Sequence, residues 1–202
     1  MRPEPSQPPA RSRRRSGQRA RCRRQPEAPA GGPRSASGRP GAALPGPVTV
    51  VGRWLRALLL RDGEAVPDLR ARLNSGKPGW NRDEAGVVQA ACDLAVARYF
   101  GASYDAGAVT RLASFLHQVE QAGGKAPHSQ REIEAVVRHA LAEADLDVDV
   151  GGINARVAFE IQGSVTAFIA SQRGWPPPLI DAILGYAEQT AAGRGWNPPP
   201  AT

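Results

Sequence analysis

The chain has 202 residues, enough for one domain of ordinary size with an extension, and a formal net charge of +7. The charge is unevenly placed: residues 1–47 carry 11 arginines against Glu4 and Glu27, a net of +9, whereas 48–202 carry 15 basic and 17 acidic residues, a net of −2. Composition therefore gives no reason to read the body as a nucleic-acid-binding domain. No stretch approaches the roughly 20 apolar residues of a membrane-spanning helix.

Residues 1–47 are built from Arg, Pro, Ser, Gly and Ala, with no aromatic residue. Such a segment cannot bury enough apolar surface to offset the entropy of ordering, so it is expected to be a disordered tail. It lacks the apolar core of a secretory signal, and Arg13-Arg14-Arg15 has no apolar run after it. Ten prolines between Pro3 and Pro47 oppose the amphipathic helix of a transit peptide. Arg11, Arg13, Arg14, Arg15, Arg19, Arg21, Arg23 and Arg24 are candidate phosphate contacts for a sequence-independent arm, without aromatics to stack on bases. A second reading stays open beside it. Met1 is the only methionine and the folded pattern starts near Val48, so the tail is alternatively a gene-model extension.

Thr49 is a plausible cap for a first helix carrying Trp54, Leu55, Leu58 and Leu59, closed by Asp62-Gly63. Core packing is the expected fate of its apolar face. Leu69 and Leu73 after Pro67 suggest a short second helix, ended by residues 74–76. Asn81 with Glu84 has capping-box spacing, followed by Val87, Val88, Ala91, Leu94, Ala95 and Tyr99. Asp105 caps a helix with Val109, Leu112, Ala113, Leu116 and Val119 on one face. Ser129 and Glu132 form another capping box, before Ile133, Val136, Val137, Ala140 and Leu141.

The stretch 145–162 has two readings. Leu146, Val148 and Val150 alternate with aspartates, as do Val157, Phe159 and Ile161 with other residues, which would suit a hairpin about Gly151-Gly152. Ile153, Val157, Ile161, Val165 and Phe168 recur at helical spacing, and a helix from Asn154 to Gln172 is favoured. Pro176 to Pro178 start a last helix with Ile180, Ile183, Leu184 and Ala187, ending at Gly193. Gly-Trp recurs at 79–80, 174–175 and 195–196, the first two just before helix starts, where a tryptophan can staple the chain onto the first turn. The expected fold class is mainly α: a compact six- or seven-helix bundle over 48–193, preceded by the disordered tail and followed by a frayed 194–202.

Tests for chemistry mostly fail. His117 and His139 fall on polar helix faces and His128 in a loop, with no paired spacing that would hold a metal on one helix. Asp145 to Gly151 resembles the start of a calcium loop, but Val150 stands where the turn glycine is needed and Arg156 where the bidentate glutamate is needed. Gly76-Lys77 and Gly124-Lys125 lack the rest of a phosphate-cradling loop. Cys22 and Cys92 are too few and too separate for a disulfide framework; a cytoplasmic setting fits, and Cys92 reads as a small buried hydrophobe. Ala170, Gly174, Ile180 and Ile183 match helix-turn-helix spacing. The second helix would then offer Pro176, Pro177, Pro178, Asp181 and Ala182 to DNA, none a donor, so an ordinary helical hairpin is favoured.

No cofactor, metal or catalytic site is expected, and the reading leans away from an enzyme. The leading expectation is a helical interaction module with a protein partner. The alternatives are nucleic-acid binding through the tail alone, or an enzyme whose site would gather residues such as His128, Asp147 or Glu160 in a deep pocket.

Overall fold

The computed structural model describes residues 46–75, 81–124, 128–141 and 152–201. The expectations for the tail and its eight arginines, Cys22, Gly79-Trp80 and the aspartates 145–149 lie outside the described residues. Among those described, the fold is all helical, with seven helices and no strand.

The first helix, α1 (Val50–Leu60), starts on Thr49, whose hydroxyl oxygen accepts from the Gly52 N–H at 3.0 Å. It ends where Arg61 turns left-handed at φ 57°. Val51 and Leu55 are fully buried and Trp54 stacks on Phe159 at 5.4 Å. The favoured core-packing fate of this helix is therefore the observed one, although Leu58 and Leu59 are only partly buried. Asp62 accepts the Ala65 N–H and opens α2 (Ala65–Asn74), which has no buried residue and lies against α1.

Helix α3 (Arg82–Phe100) differs from expectation at its start. Asn81 accepts from the Asp83 N–H at 3.0 Å, an Asx turn, and no reciprocal bond from Glu84 completes a box. The shorter Asn side chain reaches the nearer amide, and Glu84 is left partly buried, where desolvation and then Asp83 raise its pKa. Asp105 caps α4 (Ala106–Ala122) through the Gly107 N–H. The box at Ser129 is complete at the head of α5 (Gln130–Ala140): the Ser129 hydroxyl oxygen accepts from the Glu132 N–H, and the Glu132 carboxylate accepts from the Ser129 N–H. Asn154 caps α6 (Ala155–Gln172), so the helical reading holds for that segment. The last helix, α7 (Pro177–Gly193), starts on prolines, which need no partner for an absent N–H.

Helices α3 and α6 pack against each other through the middle and divide the interior into two clusters. One joins Ala95 and Val96 of α3 to Leu112 and Leu116 of α4, Ile133 and Val137 of α5, and Ile161, Val165 and Ile169 of α6. The other joins α1, the first half of α3, Phe159, and Ile180, Leu184 and Ala187 of α7. Trp175, in the turn between α6 and α7, touches both.

Two sequence expectations need correction. Val119 is 47% exposed rather than part of the core stripe, because α4 packs chiefly on α5 and its next turn rotates the fifth apolar position outward. Residues 194–201 are not frayed. The Pro199 carbonyl accepts from the Val50 N–H at 3.3 Å, and the Ala201 N–H donates to the Val48 carbonyl at 2.8 Å. Trp196 lies over Gly86 so closely that a Cβ there would overlap its ring.

Candidate interaction surface

Four places outside the core carry chemistry, and the first is a clasp. Glu188 of α7 lies at the head of α1, where three donors meet it: the Val48 N–H at 3.0 Å, the Thr49 N–H at 2.9 Å and the Thr49 hydroxyl at 2.6 Å. A carboxylate at a helix N-terminus is favoured by the unpaired amides and the helix dipole. All its partners are the chain's own, so the arrangement is a structural tie.

The second is a cluster about His128. Its Nδ1 is 3.0 Å from Glu120 of α4, its N–H donates to the same carboxylate at 2.9 Å, and its Nε2 is 3.6 Å from Glu160 of α6. Glu160 also pairs with Arg156 at 3.1 Å. The His128 carbonyl accepts from Nδ1 of His117 at 2.7 Å, so His117 is half-buried rather than the exposed residue its helix face suggested. His128 and Glu160, named in advance as residues an enzyme would gather, are thus adjacent. The Glu120 carboxylate and the His117 ring thereby hold the chain before α5 against α4. No group of three or more His, Cys, Asp or Glu among the described residues is arranged to hold a metal.

The third is an open cleft of about 430 Å³ between α1, α2 and the first turn of α7, with Arg53, Arg56, Asp62, Leu69 and Asp181 among its lining. Arg56 is bound by Asp181 at 2.6 Å, and Asp62 accepts the Ala65 N–H at the start of α2. The same ion pair occupies Asp181, one of the positions a DNA-reading helix would have presented. Cys92 is fully buried and burial pushes its thiol pKa far up, as suits an inert small hydrophobe.

The fourth is apolar. Phe115 and Val119, one turn apart on α4, are 48% and 47% exposed. The Phe115 ring lies 5.3 Å from that of Phe168 on α6, which packs onto the core beneath. Sequence reading placed Val119 in the core and did not single out Phe115. An apolar residue falling between two stripe positions, as Phe115 does beside Leu116, was the available signal.

No helix among the described residues is long and apolar enough to cross a membrane. Comparison with known proteins gives no match: no family model, curated protein or solved structure is similar to this chain.

Proposed function

We propose that the folded body is a helical interaction module that engages a protein partner through the strip Phe115–Val119–Phe168. The single observation behind this reading is a half-exposed aromatic and a half-exposed valine on one face of α4, continuous with the core through Phe168. Apolar side chains grouped on a surface gain by being covered, and aromatic anchors dominate the energetics of such contacts. The histidine cluster that ties the chain before α5 to α4, and the Arg56–Asp181 pair in the cleft, favour this over an enzyme. The test is quantitative co-purification from the native source with the double variant Phe115→Ser/Val119→Ser. Partners that bind the strip are lost from the variant; an unchanged set of partners, with the variant folded, removes the reading.

A second reading rests on the +9 charge of residues 1–47: sequence-independent contact with nucleic acid through the arginines between Arg11 and Arg24. It predicts binding that weakens steeply with salt and disappears when 1–47 is deleted. Equal binding by the truncated protein rejects it.

A further inference from the structure

We propose that the open cleft between α1, α2 and the first turn of α7 binds a small organic carboxylate, its charged head on Arg53 and its short aliphatic body on Ala57, Ala65 and Leu69.

The choice of ligand follows from which charges in the cleft are already engaged. Among the described residues, Arg53, Arg56, Asp62 and Asp181 are the ionisable groups of its lining. Asp181 is held by two donors of one guanidinium, Arg56 Nε at 2.6 Å and Nη2 at 3.3 Å. That is the fork an arginine offers to a carboxylate, here taken by the chain itself. Asp62 accepts the Ala65 N–H at 3.1 Å at the N-terminus of α2, where the helix dipole favours a negative charge. It also faces Arg56 electrostatically. Arg53 is exposed and has no hydrogen bond or ion pair among the described residues. Both carboxylates therefore have partners and one guanidinium does not. A free guanidinium fork matches a planar acceptor with two oxygens.

Helix periodicity puts that cation beside an apolar wall. Arg53, Arg56 and Ala57 recur at i, i+3 and i+4 on α1, so one side of the helix presents both guanidinia and a methyl group to the cleft. Ala65 and Leu69, one turn apart on α2, add to the lining and are only half-buried. No residue of α2 is buried, so a ligand lying on Leu69 removes from water apolar surface that the fold leaves uncovered. Gly46 and the buried Pro47 complete the lining. A volume of about 430 Å³ with an apolar wall and a few orienting polar groups is the composition of a small-molecule site. A single free cation selects a monoanion, because further negative charge would meet Asp62 and Asp181. None of these residues belongs to the α4 strip, so this site and the partner surface can fail independently.

The test is a nuclear magnetic resonance titration of the full chain with hexanoate. Hexanamide, which keeps the shape without the charge, and hexylammonium, which reverses the charge, are the comparison probes. Hexanoate is expected to give saturable shifts at Arg53, Ala57, Ala65 and Leu69 with a dissociation constant in the millimolar range, as suits so small a ligand. Arg53→Gln, at an exposed position that leaves the Arg56–Asp181 pair in place, should weaken binding about tenfold, the effect of losing a charged hydrogen-bond donor. Absence of saturable shifts at these residues overturns the proposal, as does unchanged affinity in Arg53→Gln or equal binding of hexanamide. Tighter binding of hexylammonium would assign the cleft to cations through Asp62 and Asp181 and overturn it as well.

Discussion

Removing the Glu188 carboxylate tests the tie between α7 and the head of α1 directly. In Glu188→Ala, the Val48 N–H is exposed and water replaces its partner. The Thr49 N–H and hydroxyl are part-buried, and both donate to an ionised acceptor. Two charge-assisted hydrogen bonds at about 1.5 kcal/mol each give an expected loss of about 3 kcal/mol. That is a large share of the roughly 5–15 kcal/mol that holds a domain together. It corresponds to a fall in Tm of roughly 6–12 °C for a domain of this size. Glu188→Gln keeps one acceptor and should fall between wild type and Glu188→Ala. Urea denaturation followed by circular dichroism measures the loss. A double-mutant cycle with Thr49→Ala then isolates the direct term, expected to be about 1 kcal/mol or more. If Glu188→Ala costs less than about 0.5 kcal/mol, or the cycle is additive, Glu188 does not hold the head of α1 and the clasp is a surface contact.

Other outcomes follow from single features. Hydrogen bonds from the Ser129 hydroxyl and then its N–H hold the Glu132 carboxyl below the ordinary glutamate value. Its contribution is therefore present above that value and lost as pH falls through the lower folded value; acid titration of Glu132→Gln should show a correspondingly shallower loss, and an unchanged profile would count against the cap. Helix α2, with no buried residue, should exchange its amides well before α3 and α6 in native-state hydrogen exchange; equal protection would place it in the global unfolding unit. The Trp54 indole N–H is buried and has no hydrogen-bond partner among the described residues. Trp54→Phe keeps the stack on Phe159 and removes that orphan donor, so denaturation should find a cost of about 1 kcal/mol or less, against roughly 3–5 for Trp54→Ala. A Phe variant as costly as the Ala variant would mean that the N–H is satisfied after all.

What could be read in the sequence was local. The box at Ser129 and Glu132 spans three residues, and the caps at Thr49 and Asp105 act within one turn, so spacing alone found them. Asn81 was placed correctly as a cap but with the wrong mate, because its short side chain has two local solutions of similar reach. Spacing also cannot decide how far a stripe extends, and Val119 was lost there because the edge position of α4 leaves its last turns uncovered. Glu188 and Thr49 are 139 positions apart, and His128 and Glu160 meet only after α4, α5 and α6 have docked. No periodicity encodes such pairs. Gly86 carried a signal that went unused: a glycine inside a strong helical pattern usually marks something approaching closely.

Gly52 and Gly86 together show how residues 47–49 and 194–201 are fastened to the helices. A Cβ at Gly52 would fall 2.7 Å from the Pro47 Cβ and against the Glu188 carboxylate, and a Cβ at Gly86 would displace Trp196. Each glycine sits in the first turns of a helix where alanine would be intrinsically better, and each admits a group from outside that helix. At Gly52 the admitted group is a buried proline and a carboxylate holding three hydrogen bonds, which is a permanent fastening. At Gly86 it is a half-buried ring on a strap with two backbone bonds beyond it. The same device thus fastens both segments: at Gly52 through a proline and a carboxylate, and at Gly86 through a ring whose backbone N–H is bound to the Ala191 carbonyl and whose strap pairs with residues 48–50.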